Sequence, residues 1–229
     1  MQALLEAALP VTVACVISNR PDAAGLAFAA AQGIATAVVD HKSYAGRESF
    51  DQALAEEIDR HQPGLVILAG FMRVLTDAFV RRYEHRLINI HPALLPAFPG
   101  LHTHERALET GVKLHGCTVH FVTPTVDVGP IIAQAAVPVL DDDTPSTLAA
   151  RVLRQEHQLY PAVVRWIAQG RVRVNEAGRV LLLADLNADG TNTSGEKESG
   201  KESDKETANT NANALKSVSA SAALRCPDE

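Results

Sequence analysis

Two side chains near the middle of the chain, Asn89 and His91, are of the types that assist acyl transfer. They lie in Leu87-Ile88-Asn89-Ile90-His91, and in an extended segment residues two apart point to the same side, so the amide and the imidazole share a face. An amide can donate to a carbonyl oxygen, and an imidazole can donate or accept a proton near neutral pH. Both side chains also serve to tie down loops, and the pair alone does not separate the two uses. The next candidate is Asp127, in Thr125-Val126-Asp127-Val128-Gly129-Pro130. Asp followed by Gly and Pro is the composition of a turn. A carboxylate brought beside His91 would also hold the imidazolium and raise its pKa.

The elements around these residues must position them. Residues 11–17 read as a buried strand, followed by an Ala-rich helix that Asp22 can cap and Gly33 can end. Residues 36–39 form a second strand, and 48–61 a helix with Phe50, Leu54 and Ile58 on one face. Pro63-Gly64 punctuates the chain before 65–69, a strand apolar on both faces. A helix over 76–83 leads into the strand 87–91. The alternation predicts an α/β fold with a Rossmann-like, mostly parallel sheet and helices on both faces. Ligands bind at the carboxyl edge of such sheets, where Asn89 and His91 fall. Three prolines and a glycine break 92–104 into a long ordered loop of the kind that carries function. Strands near 117–123 and 131–139 are close enough in sequence to predict antiparallel pairing. Thr144-Pro145 opens a long helix to about Gln169, and a hairpin of 172–174 with 180–183 closes the domain.

Composition narrows the function classes. The chain has 229 residues, of which 46% are hydrophobic and 21% charged, enough for one large domain and unlike a fibrous or disulfide-stapled protein. No apolar run reaches the roughly 18 residues of a membrane-spanning helix. The N-terminus lacks the basic head and apolar stretch of a signal peptide, so a cytoplasmic location is expected. Cys15, Cys117 and Cys226 are odd in number and include no Cys-x-x-Cys pair, which suits a reducing compartment and offers no zinc site. His102 and His104 flank Thr103 without a supporting ligand pair, so a loop role is expected for them and no metal. A net charge of −6 weighs against a nucleic-acid surface and leaves small molecules as the expected partners. All nine histidines and every aromatic residue lie before Ala168. The stretch 186–229 is built from Asn, Thr, Ser, Gly, Lys, Glu and Ala, with too little apolar surface to offset its ordering entropy. The expected organisation is a folded domain over 1–185 and a disordered low-complexity tail over 186–229.

Taken together, Asn89-Ile90-His91-Pro92-Ala93-Leu94-Leu95-Pro96-Ala97-Phe98-Pro99-Gly100-Leu101-His102-Thr103 resembles the signature of the phosphoribosylglycinamide formyltransferases, folate-dependent enzymes of purine biosynthesis. The resemblance continues through Val16-Ile17-Ser18-Asn19, Leu68-Ala69-Gly70-Phe71-Met72-Arg73-Val74-Leu75, Val119-His120-Phe121-Val122, Asp127-Val128-Gly129-Pro130-Ile131-Ile132 and Gln155-Glu156-His157, and spans about residues 1–183. It implies transfer of a formyl group from 10-formyltetrahydrofolate to the amine of 5-phosphoribosylglycinamide, in the synthesis of IMP, by a monomer or homodimer without a metal. Asn89, His91 and Asp127 are then the catalytic trio. By the same resemblance the folate site maps onto Arg47, Met72, Arg73, Val74, Leu75 and Asn89 together with the loop Thr123, Pro124, Thr125, Val126 and Asp127. Glu156 matches a residue that contacts the ribonucleotide.

The sequence also departs from the family pattern. Members begin with a buried strand and a Gly-x-Gly-Ser-Asn loop that cradles the substrate phosphate at a helix N-terminus. Residues 1–7 align with the body of that helix and show no capping residue before it. The sheet is therefore expected to miss its N-terminal strand, leaving its neighbours with unpaired backbone groups. The chain as written is expected to bind the ribonucleotide poorly while the folate half of the site persists. Formyltetrahydrofolate hydrolases and methionyl-tRNA formyltransferases resemble it in the same trio, but Pro99-Gly100-Leu101 favours the ribonucleotide enzyme. A truncated, inactive or folate-binding paralogue is the non-catalytic alternative.

Overall fold

A computed structural model describes residues 1–184 and 219–222. Its first turn of helix, α1 (Gln2–Glu6), is capped only by the backbone of Met1, whose carbonyl accepts from Leu4 and Leu5. Then come β1 (Thr12–Ser18), α2 (Ala24–Ala31), β2 (Thr36–Val38), α3 (Arg47–Arg60), β3 (Leu65–Leu68), α4 (Asp77–Arg82) and β4 (Leu87–His91). The second half adds α5 (Thr103–Thr110), β5 (Leu114–Phe121), β6 (Ile131–Pro138), α6 (Pro145–Ala168), the hairpin β7 (Val172–Val174) with β8 (Val180–Leu182), and β9 (Ser219–Ala222). The main sheet runs β2-β1-β9-β3-β4-β5-β6. Its first five strands are parallel, and β5 alone is reversed, pairing antiparallel with β4 and with β6, the latter as the spacing of the sequence predicts.

The pleat sorts β3 between two cores. Leu65 and Ile67 point to one face, where Leu4 of α1 and Tyr160, Val163 and Val164 of α6 cover them. Val66 and Leu68 point to the other, against Phe50, Leu54 and Ile58 of α3 and Phe79 of α4. This alternation on a strand buried on both sides is why 65–68 is an unbroken apolar run. Caps set the helix limits: Thr76 accepts from the Phe79 amide, and Thr144 and Thr147 form a reciprocal capping box ahead of Pro145. Pro161 sits inside α6 without ending it.

Three expectations change. Asp22 does not cap α2; it is taken by the Arg20 guanidinium at 2.6 Å, and Ala23 stands at the cap with no side-chain bond. Gly33, at φ +74°, does end that helix. The loop expected over 92–104 gives way at Thr103 to α5, which buries Ala107 against Cys117, Leu148 and Val152. The slot between β1 and β3, expected to lack a strand, is filled by β9. It pairs in parallel with both neighbours, Ala222 lying level with Val16 and Ile67. Two apolar strands with free inner edges offer backbone donors and acceptors that demand partners, and four of the residues assigned to a disordered tail meet that demand. The rest of that tail lies outside the described residues. Among the described residues no helix is long and apolar enough to cross a membrane.

The contact that braces the carboxyl edge comes from α6. Tyr160, 4% exposed, places its hydroxyl 2.6 Å from the carbonyl oxygen of Leu68, the last residue of β3, and 3.2 Å from that of Ile88 in the neighbouring β4. Tyr160→Phe leaves those carbonyls without this donor, and urea unfolding should register a loss of about 1–2 kcal/mol. An unchanged midpoint would mean that the hydroxyl contributes nothing to the edge.

Candidate active site

Strand β4 delivers Asn89 and His91 to one face, as the sequence predicts. The antiparallel pairing with β5 sets Asn89 opposite His120 and His91 opposite Thr118. The chain then leaves β5 and returns by a turn at 127–130. Asp127 adopts a left-handed φ of +56° there, tolerated best by short polar side chains. Gly129 presses on the end of β5: a Cβ at that position would lie 1.7 Å from the Phe121 carbonyl oxygen, so only glycine fits. The turn closes with the Phe121 amide donating to the Pro130 carbonyl at 2.9 Å.

The turn brings Asp127 to His91. Oδ2 lies 3.4 Å from His91 Nδ1, with the two side chains only 9% and 7% exposed. The same oxygen accepts from the Gly100 amide at 2.8 Å. On the far side of the imidazole, Nε2 is 2.9 Å from the Phe98 carbonyl oxygen. Both ring nitrogens thus face acceptors, an arrangement satisfied in full only when both carry protons. Oδ1 of Asp127 lies 3.8 Å from Nε2 of His120, whose ring is also 3.5 Å from the Asn89 amide nitrogen. Asn89, His91 and Asp127 therefore converge.

The loop that supplies Phe98 and Gly100 is held from below. Thr118 donates to the Ala93 carbonyl at 2.6 Å and accepts from the Leu95 amide at 3.0 Å. Gln134 on β6 donates to the Leu95 carbonyl at 2.8 Å, and Thr103 to that of Pro92 at 2.8 Å. Arg106 donates to the Pro99 carbonyl and lies over the Phe98 ring. Within this clasp the Leu95–Pro96 bond is cis.

Over most of its length the chain is similar to known proteins. The formyl transferase family pattern covers residues 1–164. A phosphoribosylglycinamide formyltransferase of Escherichia coli strain K12 is 48% identical over 180 residues, 77% of this chain and 85% of that relative. The chain belongs to the phosphoribosylglycinamide formyltransferase family. A trifunctional purine biosynthetic protein of Homo sapiens is 47% identical over 165 residues, which is 72% of this chain and 16% of that much longer relative. The glycinamide ribonucleotide transformylase 1 structure from Symbiobacterium toebii superposes with a TM-score of 0.76 at 48% identity, over 80% of this chain and 87% of that one. Membership implies a folate-derived formyl donor and small-molecule substrates.

The positions that the sequence resemblance leads us to expect at a folate site fall as follows. The segment 69–75 leaves β3, the strand beside β4, with Leu68 level with Asn89. Met72 and Val74 are exposed there, Leu75 is buried, and Val126 on the other loop is exposed, so apolar surface is available beside the trio's strands. The Arg73 guanidinium stacks over Phe50 of α3, 5.1 Å from the ring centroid, and its buried Nε has no hydrogen-bond partner among the described residues. Asp51 of α3 accepts from the Thr76 amide at 2.6 Å, which ties this segment to the helix that Arg47 begins. Thr123 and Pro124 border a small cleft with Val80, Arg81 and His85 of the α4 region, and Thr123 donates to the Thr125 carbonyl. Glu156 sits on α6 one turn before Tyr160, half-buried, and burial pushes its carboxyl upward. Among the described residues no hydrogen bond or ion pair joins it to the trio.

Sequence reasoning met His120 only within a stretch of family resemblance and gave no role to it, to Thr118 or to Gln134. It also gave His104 no partner beyond the loop, whereas Nδ1 of His104 lies 3.2 Å from Nε2 of buried His115. No group of three or more metal-ligating side chains occurs among the described residues. Burial pushes His115 down to about 4, with His104 and His91 adding to the shift and the Pro92 carbonyl opposing it. In the unfolded chain the ring titrates near 6.5, so between these values only the unfolded state takes the proton. Stability is complete above about pH 6.5 and falls toward pH 4, by up to about 1.4 kcal/mol per pH unit. His115→Gln should flatten that part of the stability profile in urea titrations. A slope as steep as the parent's would contradict the assignment.

Proposed function

We propose that this chain transfers the formyl group of 10-formyltetrahydrofolate to the primary amine of 5-phosphoribosylglycinamide, a step in the synthesis of IMP. The observation that carries the reading is the convergence of Asn89, His91 and Asp127, with 3.4 Å between imidazole and carboxylate, at the carboxyl edge of the sheet.

The chemistry follows from the donors. The amine nitrogen bonds to the formyl carbon, and the carbonyl π pair moves onto oxygen. The resulting tetrahedral oxyanion collapses with expulsion of the folate nitrogen, which takes a proton as the attacking nitrogen loses one. Nδ2 of Asn89 and Nε2 of His91 donate to the oxyanion, each worth about 3 kcal/mol in a site from which water is excluded. His91 does so by exchanging the Phe98 carbonyl for the substrate oxygen, with no net loss of a hydrogen bond. Asp127 opposes the charge on the ring and receives the amine proton through water. Met72, Val74, Leu75 and Val126 supply apolar faces for a pterin, and the backbone of residues 123–127 its polar edge. Arg47 and Arg73 stand for the anionic end of the folate, and Glu156 for the ribonucleotide.

Incubating the full chain with 10-formyltetrahydrofolate and each of three acceptors, the ribonucleotide amine, water and charged initiator tRNA, tests the reading. Formyl should appear on the amine. Asn89→Ala and Asp127→Asn should each lower kcat about 100- to 1000-fold, with KM changed only a few-fold. Release of formate with no formylated amine would identify a hydrolase instead.

A further inference from the structure

His120 is 2% exposed, next to the C-terminal end of β5, and takes no part in the transfer as derived above. Its Nδ1 lies 2.9 Å from the carbonyl oxygen of Phe121. A carbonyl oxygen only accepts, so Nδ1 carries the ring proton. Burial pushes the ring's titration down, His91 adds to that, and the Phe121 carbonyl and Asp127 oppose it. The ring is then neutral at pH 7 and Nε2 presents a lone pair.

That lone pair faces the amide of Asn89 at 3.5 Å. A side-chain amide can be turned either way about its last bond, with oxygen and nitrogen exchanged. Against an acceptor only the nitrogen fits, since an oxygen there would set two lone pairs against each other. With one N–H directed to His120, the second stays free to donate. A proton on Nε2 would reverse this preference, and Asp127 Oδ1 at 3.8 Å would favour such a proton. The Phe121 carbonyl, by occupying Nδ1–H, keeps the proton on the other nitrogen.

We propose that His120, as the neutral Nδ1–H tautomer, is a positioning residue that fixes the Asn89 amide with its nitrogen toward the reacting formyl oxygen. The proposal rests on the reading of Asn89 as an oxyanion donor. His120 touches no substrate; it acts through the orientation of another side chain.

Histidine 15N spectra of the full chain at pH 7 should show His120 with a protonated Nδ1 and a bare Nε2. The opposite tautomer, or the cation, overturns the proposal without any variant. Kinetics then test the consequence. His120→Phe keeps the ring and removes the acceptor, and should lower kcat about tenfold to a hundredfold with KM for both substrates nearly unchanged. His120→Gln, whose amide oxygen can accept from Asn89, should restore most of the loss. In an Asn89→Ala background His120→Phe should cost less than about twofold, because no amide remains to be oriented. An equal loss in both backgrounds, or no loss in the parent, overturns the proposal. If Asn89→Ala alone leaves kcat unchanged, the oxyanion reading itself fails, a result distinguishable from failure of His120 alone.

Discussion

The carboxylate of Asp127 is the point at which two loops and two strands are joined. One oxygen receives the Gly100 amide and faces His91, and the other faces His120. Through Gly100 it fixes the loop that follows β4, and through His91 the end of β4 itself. It reaches this place because the chain turns through a left-handed residue at 127 and because residue 129 has no side chain to strike β5. A side chain at 129 would move the carboxylate and with it the whole cluster.

Such a cluster is a poor investment in stability. Bringing a carboxylate and an imidazole out of water costs more than their attraction commonly returns, and apolar residues of like volume would hold the strands as well. What the pair gives is a defined direction for each proton. His91 has an acceptor at either nitrogen, one of them a backbone carbonyl that a substrate oxygen can replace. The stability comes from elsewhere: the apolar run of β3, the α6 helix across it, and the Tyr160 hydroxyl that bridges β3 and β4. The Thr118 and Gln134 clasp then carries that rigidity into a proline-rich loop that lacks a regular hydrogen-bonding ladder of its own.

Much of this was legible in the residues. The strands at 12–18 and 65–68 are mostly apolar runs of the right length near Pro or Gly, 87–91 alternates apolar with polar residues up to Pro92, and α3 shows its buried stripe in Phe50, Leu54 and Ile58. The pairing of Asn89 with His91 follows from strand periodicity alone. Other features depend on contacts that no local pattern encodes. The α5 helix buries only Thr103 and Ala107, too little for a stripe, and follows a broken loop. Asp22 has the chemistry of a cap, but an arginine two residues earlier claims it. Residues 219–222 are Ser and Ala, with neither branching nor apolar bulk to mark a strand, and only the waiting edges of β1 and β3 define one. His120 lies within a buried run and reads as core; its use depends on the register that sets it opposite Asn89.

The central claim is that Asp127 acts through the imidazole beside it. A cycle of His91→Ala, Asp127→Asn and the double variant, read in kcat/KM for formyl transfer, tests it most directly. The account predicts that the double variant loses at least about tenfold less than the product of the two single losses, an interaction of about 1.4 kcal/mol or more. A double loss equal to that product would mean that the two groups act independently, and that the contact between them is not what the site depends on.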